Sequence, residues 1–170
     1  MARELSEDAN RQQGGVLGRA DGVVLKPFRD GELLRTYRIG IGYPEFPLPT
    51  GLRKATSIIY NPSWTPPDEP WVKGKFAAGR RVAAGSELNP LGPIKIPIGM
   101  PSLIHGGKPA SSLGGFDSHG CVGLTDRQVR EFAGTLAEVS NTPITPEAAA
   151  GYADNPRETR RVKLVTAVPV

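Results

Sequence analysis

The sequence predicts a mainly β domain with a sandwich-like core of sheets and one main helix. Glycine (21) and proline (17) make up 38 of the 170 residues, which is typical of a chain divided by many turns. Short runs of β-branched and aromatic residues lie between these turns. Only residues 125–139 combine a helix cap with a convincing apolar stripe at helical spacing.

The first twenty residues differ from the rest of the chain. Residues 1–20 are polar with little apolar periodicity, so we expect a tail, a linker or a short, loosely held helix there. Residues 21–170 then form one domain, long enough to bury a core without a disulfide or metal. The chain ends in a strand-like run, and we expect it to be a fragment of a longer protein.

The first half of the domain predicts a hairpin, a loop and a strand. Val23–Lys26 and Leu33–Ile41 flank Asp30-Gly31, a dipeptide that favours a tight antiparallel hairpin. Three prolines in residues 43–51 exclude a central strand, whereas residues 56–60 are β-branched and aromatic enough to form one.

A proline-rich segment with two tryptophans follows at residues 61–71. Its four prolines remove most ladder hydrogen bonds, which predicts a long ordered loop or flap. Trp64 and Trp71 either cap the edge of the core or form a wall that contacts substrate. The sequence leaves both interpretations open.

The second half predicts three strands and two helices. The expected strands are residues 94–96, 102–104 and 162–168, the second of which ends just before His105. Thr125 and Gln128 form a capping box ahead of an apolar stripe, and Thr145-Pro146 begins a shorter helix that we expect to end at Gly151. The stripe consists of Val129, Phe132, Ala133, Leu136 and Val139.

Charge and cysteine content exclude several classes of function. The net charge is +4 and the basic residues are scattered, so no nucleic-acid-binding stripe is predicted. The single cysteine excludes an internal disulfide. No apolar run approaches the roughly 18 residues of a membrane span, and no secretory signal is evident at the start. Either the protein is cytoplasmic, or its export segment is not part of this chain.

The lone cysteine lies among residues that suit a nucleophile. An isolated free cysteine is usually a small buried apolar residue. Here both histidines of the chain, His105 and His119, lie within sixteen residues of Cys121. An imidazole within hydrogen-bond reach activates a thiol at neutral pH. The cluster therefore predicts nucleophilic catalysis by Cys121.

The two histidines have different prospects as the general base. His105 ends a predicted strand before Gly106-Gly107, which favours a side chain directed into a cleft. His119 precedes Cys121 by two residues and is the alternative, with a role in orienting the loop or contacting substrate. A catalytic zinc bound by His105, His119 and Cys121 is a weaker alternative. The sequence offers no acidic residue to hydrogen-bond the ligating histidines and lacks the usual spacing of paired zinc ligands.

The strings Ser118-His119-Gly120-Cys121-Val122-Gly123-Leu124 and Ile104-His105-Gly106-Gly107 resemble the signature of the L,D-transpeptidases. This YkuD-like family remodels bacterial peptidoglycan. Similarities at residues 47–51 and 61–64 and in the hairpin extend the resemblance over residues 21–139. The family fold is a β-sandwich with one main helix after the nucleophile and short helical pieces.

The resemblance implies a mechanism and its residues. Cys121 attacks the bond between the diamino acid and D-alanine of a tetrapeptide stem, with His105 as base and His119 as a further catalytic candidate. Ser118, Gly120, Gly106 and Trp64 would contact the substrate or the oxyanion. The thioester passes to an amine, which is a second stem (a 3→3 cross-link), a D-amino acid or a protein lysine.

The resemblance also implies a setting for this chemistry. The family needs no cofactor or metal, acts in the periplasm or cell envelope in wall biogenesis and cell shape, and is acylated by carbapenems. Gly123 stands where many members carry arginine or asparagine. Two alternatives therefore remain, which are an L,D-carboxypeptidase or other cysteine peptidase on the same stems and a catalytically silent wall-binding module.

Overall fold

A computed structural model describes the backbone of residues 16–19 and all of residues 24–170. Within these ranges the chain is mainly strand with two helices, which confirms the predicted class. The strands are β1 Val16–Arg19, β2 Val24–Arg29, β3 Glu32–Leu33, β4 Tyr37–Arg38, β5 Ile41–Gly42, β6 Lys54–Tyr60, β7 Ile94–Pro97, β8 Leu103–His105, β9 Phe116–Ser118, β10 Val122–Gly123 and β11 Arg160–Pro169. The helices are α1 Asp126–Val139 and α2 Pro146–Ala153, with a 3-10 turn at Ala110–Ser112.

The predicted N-terminal hairpin is confirmed. Strands β2 and β3 pair antiparallel, with Arg29 opposite Glu32, so the loop has two residues. Asp30 (φ 51°) and Gly31 (φ 80°) both adopt left-handed conformations, as the tight hairpin turn requires. The predicted run Leu33–Ile41 is divided, because β3 and β4 pair with β2 in the same antiparallel direction but with registers that differ by one residue.

The prediction for the N-terminal residues is wrong at four positions. Val16–Arg19 form β1 and pair antiparallel with β2, whereas a tail or loose helix was expected over residues 1–20. Residues 1–15 and 20–23, including Val23 of the predicted hairpin, lie outside the described part of the chain. The domain boundary at residue 21 stays a prediction.

A five-stranded sheet carries the residues of interest. Its order is β10-β8-β7-β6-β11, with β8 and β10 parallel and the other neighbours antiparallel. The strands predicted at residues 56–60, 94–96, 102–104 and 162–168 all lie in this sheet. Because β8 and β10 are adjacent, the two histidine-containing strings of the sequence meet at one edge of the sheet.

Helix α1 fixes the segment that precedes it. Thr125 and Gln128 form both hydrogen bonds of the predicted capping box. The buried face of α1 packs against β7, β11 and β2, so the core lies between the five-stranded sheet, the helix and the N-terminal strands. That face consists of Val129, Phe132, Ala133, Leu136 and Ala137.

Helix α2 begins as predicted and ends later. Thr145 caps it through Ala148 N, but Gly151 lies inside the helix, which continues to Ala153. Tyr152 packs on Tyr60 at 5.5 Å between ring centroids, and this burial outweighs the unfavourable helix propensity of glycine. Among the described residues, no helix is long and apolar enough to cross a membrane.

Candidate active site

The parallel pairing of β8 and β10 brings His105 and Cys121 to the same face of the sheet. Gly123 lies opposite His105, and Leu124 N donates to His105 O at 2.9 Å. Continuing this register by one residue sets Cys121 opposite Leu103, whose backbone hydrogen-bonds the Cys121 thiol. Alternate residues share a face, so Cys121 and His105 are diagonal neighbours there. The imidazole and thiol, both in the described region, are not directly hydrogen-bonded.

The tautomer of His105 is fixed by its neighbour. Its Nδ1 lies 2.6 Å from the carbonyl oxygen of Gly106, and a carbonyl only accepts, so Nδ1 carries the proton. The other nitrogen, Nε2, is therefore an unprotonated acceptor. The residue is only 4% exposed, and burial lowers its pKa from 6.5 to about 4 despite the Gly106 hydrogen bond. His105 is consequently neutral at pH 7.

The Cys121 thiol is also neutral at rest. The residue is half-buried, and desolvation raises the thiol pKa above its ordinary 9.0, although Leu103 and the charge of Lys108 act in the opposite direction. A preformed thiolate–imidazolium pair is thus disfavoured at both partners. The arrangement suits removal of the thiol proton during attack rather than before it.

Ser118 holds the backbone of the nucleophile. Its buried hydroxyl donates to Cys121 O at 2.6 Å and accepts from Cys121 N at 3.1 Å. These two hydrogen bonds close residues 118–121 into a tight loop. The structure thus gives Ser118 a positioning role, and its predicted contact with substrate or oxyanion stays a prediction.

The amide of Gly120 is the available donor in this loop. Gly120 has φ of 98°, a conformation that disfavours any side chain. Its N–H has no hydrogen-bond partner within the described ranges, whereas the N–H of Cys121 is already donated to Ser118. Of these two amides, the N–H of Gly120 is therefore the one left to bind an anion.

His119 lies on an exposed aromatic cluster instead of pointing at a buried partner. Its ring stacks on Trp71 at 3.9 Å with an interplanar angle of 11°. Phe46 and Tyr43 contact it edge-on, at 4.8 and 5.5 Å between centroids. Partial burial and the charges of two lysines lower its pKa. We call these four residues, His119, Trp71, Phe46 and Tyr43, the aromatic cluster.

The two tryptophans of the 61–71 loop have different places. Trp64 packs on Phe76 at 4.9 Å and pairs through its backbone with Val82, so its contacts are those of a loop anchor. Trp71 reaches the aromatic cluster. The sequence analysis considered both tryptophans as possible wall residues and named Trp64 for the site. No local pattern distinguishes the two, so the sequence does not show that Trp71 is the one that contacts His119.

Gly106 packs against helix α1 and thereby fixes the segment that carries His105. A Cβ at this buried position would lie 2.8 Å from Val129 Cγ1, so the backbone is pressed against helix α1. Gly107 N donates to Asp126 Oδ1 at 2.7 Å, which ties the segment to the first turn of that helix. Gly106 therefore fixes the imidazole, and its expected contact with substrate stays a prediction.

Lys108 was missed by sequence reasoning. Its Nζ donates to Asp117 O at 2.7 Å and lies 3.1 Å from Asp117 Oδ2. The only signal in the sequence is that Lys108 is the sole basic residue between the two histidines. The zinc alternative gains no support, since no group of three or more His, Cys, Asp or Glu among the described residues could hold a metal.

Comparison with known proteins addresses the family. The family model of the L,D-transpeptidase catalytic domain (YkuD) matches residues 19–155. A comparison with curated proteins gives no significant match.

Two solved structures address the fold. An L,D-transpeptidase from Mycobacterium smegmatis aligns with a TM-score of 0.51 and 19% identity, over 90% of this chain and 56% of that chain. The Ldtfm-avibactam carbamoyl enzyme aligns with a TM-score of 0.55 and 17% identity, over 72% and 44%. The chain spans about half the length of these structures, and their likeness confirms the predicted fold.

Proposed function

Because the chain belongs to the family of L,D-transpeptidase (YkuD) catalytic domains, we propose that it is a peptidoglycan L,D-transpeptidase with Cys121 as nucleophile. The observation that carries the proposal is the pairing of β8 with β10. It sets the only cysteine on the same sheet face as a buried, neutral histidine whose Nε2 is an open acceptor.

The first half-reaction forms a thioester. Sγ of Cys121 attacks the carbonyl carbon between the diamino acid and the terminal D-alanine of a tetrapeptide stem, and the thiol proton passes to Nε2 of His105. The C–N bond then breaks, the same proton goes to the departing amine, and D-alanine leaves. His105 returns to its neutral form, which its buried setting favours.

Charge on the carbonyl oxygen develops beside the loop of residues 118–121. We assign the N–H of Gly120, which has no partner among the described residues, as the donor to this oxyanion. Ser118 contributes indirectly, because its two hydrogen bonds keep the backbone of Cys121 in register with that amide.

The second half-reaction transfers the acyl group to an amine. The acceptor is the side-chain amine of another stem, which gives a 3→3 cross-link, or a D-amino acid or protein lysine. The exposed aromatic cluster borders the loop and offers a wall of stacked rings for the incoming peptide. Action on the wall polymer implies a location in the periplasm or cell envelope.

The test is a product analysis with a defined tetrapeptide stem and an amine acceptor. Mass spectrometry of the wild-type reaction should show cross-linked stems and free D-alanine, both absent with Cys121→Ala. Free tripeptide without cross-linked product would replace the transferase with an L,D-carboxypeptidase. Absence of any turnover would favour the silent wall-binding module.

A further inference from the structure

Lys108 lies across the strand that follows the nucleophile. Its backbone N–H donates to Leu124 O at 3.1 Å, which fixes the residue beside β10. A Cβ built on Gly123 would lie 2.8, 3.0 and 3.4 Å from Cγ, Cε and Cδ of Lys108. The stem of the lysine therefore occupies the space above Gly123, and the side chain is only 16% exposed.

The ammonium end of Lys108 reaches the other segment of the site. Its Nζ donates to the backbone oxygen of Asp117 at 2.7 Å and pairs with the carboxylate at 3.1 Å. Asp117 directly precedes the Ser118 loop. The side chain thus connects the His105 segment to the loop of the nucleophile by way of Gly123.

The charge of Lys108 acts on three side chains of the site. Burial lowers the pKa of His105 and His119 and raises that of the Cys121 thiol; the charge of Lys108 adds to the first effect and opposes the second. A cation lowers the pKa of both kinds of group, because it disfavours the imidazolium and favours the thiolate. A pairing with Asp117 reduces the effect without removing it.

We propose that Lys108 is a positioning residue of the acyl-transfer site: seated on Gly123 and bound to Asp117, it holds the Cys121 loop against the His105 segment and supplies a positive charge to the site. This inference deepens the proposed function and rests on it for its catalytic meaning. It also explains Gly123, because a side chain at that position would displace the lysine stem.

The test compares two alkylating reagents on the unique thiol, and it needs no turnover. Iodoacetate is an anion and iodoacetamide is neutral. The rate with iodoacetate divided by the rate with iodoacetamide therefore reports the charge near Sγ. General loosening of the loop changes both rates alike and leaves this ratio unchanged. We expect Lys108→Met to lower the ratio about fivefold, the effect of one nearby charge in a partly solvated site. Lys108→Arg should restore most of it.

Two further variants separate charge from a merely structural role. Asp117→Asn leaves the ammonium less neutralised and should raise the ratio, whereas Gly123→Ala displaces the lysine and should lower it. Lys163→Met is the matched control, since it removes an exposed charge on β11, four strands from β10, and should leave the ratio unchanged.

An unchanged ratio in Lys108→Met, or a fall in Asp117→Asn, would overturn the proposal. Either result would leave the proposed function standing if the wild-type protein still forms cross-linked product. Conversely, the protein could give the expected ratios and yet form no cross-linked product. That result would support the role proposed for Lys108 and reject the proposed transpeptidase function.

Discussion

Acid should destabilise the native state through His105. Folding lowers the pKa of this imidazole from 6.5 to about 4, chiefly by burial, with Lys108 lowering it and Asp117 and the Gly106 hydrogen bond raising it. Between these two values the unfolded chain binds the proton and the native protein does not. The stabilising contribution is therefore complete above pH 6.5 and is lost as the pH falls toward 4.

The size of the effect follows from the two pKa values. At about 1.4 kcal/mol for each pKa unit, the native state loses about 1 kcal/mol between pH 7 and 5.5 and about 3 kcal/mol between pH 7 and 4. His105→Asn removes this term, because its amide nitrogen replaces Nδ1 as the donor to Gly106 O but takes up no proton.

The assay is urea unfolding of both proteins at pH 7, 5.5 and 4. Carboxylate titration affects the two proteins alike, so the difference between their free energies of unfolding isolates the imidazole. That difference should change by about 3 kcal/mol between pH 7 and 4 in favour of the variant. Parallel pH profiles would refute the buried, neutral imidazole on which the assignment of the base depends.

Three other predictions concern the nucleophile, its loop and the aromatic cluster. Cys121 should react slowly with iodoacetamide at pH 7, because a thiol with pKa above 9.0 is less than about 1% thiolate there; a rate plateau between pH 5 and 8 would instead indicate a preformed ion pair. Ser118→Ala should cost about 2 kcal/mol of stability and slow acylation about tenfold, because the hydroxyl no longer bonds the backbone N–H and carbonyl of Cys121. Chemical denaturation measures the first effect and stopped-flow kinetics the second. Acylation at the wild-type rate would contradict the positioning role of Ser118. Trp71→Ala should raise KM about fivefold with little change in kcat, because one stacked ring contributes on the order of 1 kcal/mol. Trp64→Ala should raise KM less. Steady-state kinetics that give the reverse order would exclude the aromatic cluster as a substrate wall.

Much of the fold was predictable because its signals are local. The Asp30-Gly31 turn needs two left-handed residues in succession, and the Thr125 capping box needs only four. Longer-range effects decided the errors. Burial of Tyr152 against Tyr60 carries α2 past Gly151, and β1 forms by pairing with β2 despite its weak apolar pattern.

The sequence predicted which residues of the candidate site come together better than it predicted the contacts around them. Spacing alone placed a histidine at the end of a strand and a cysteine after a glycine, and both lie at the edge shared by β8 and β10. Nothing in the local sequence shows that Trp71 instead of Trp64 stacks on His119, or that Lys108 crosses Gly123. Those contacts join residues far apart in the chain and depend on the folded backbone.

The acyl-enzyme is the species that tests the central claim most directly. Intact-protein mass spectrometry of the wild type, mixed with a tetrapeptide stem and no acceptor, should show an adduct of the tripeptide acyl group. Peptide mapping should locate it on Cys121, free D-alanine should appear in equal amount, and Cys121→Ala should gain no mass. D-alanine released without any adduct on rapid quenching, or an adduct that persists in Cys121→Ala, would contradict nucleophilic catalysis by this thiol.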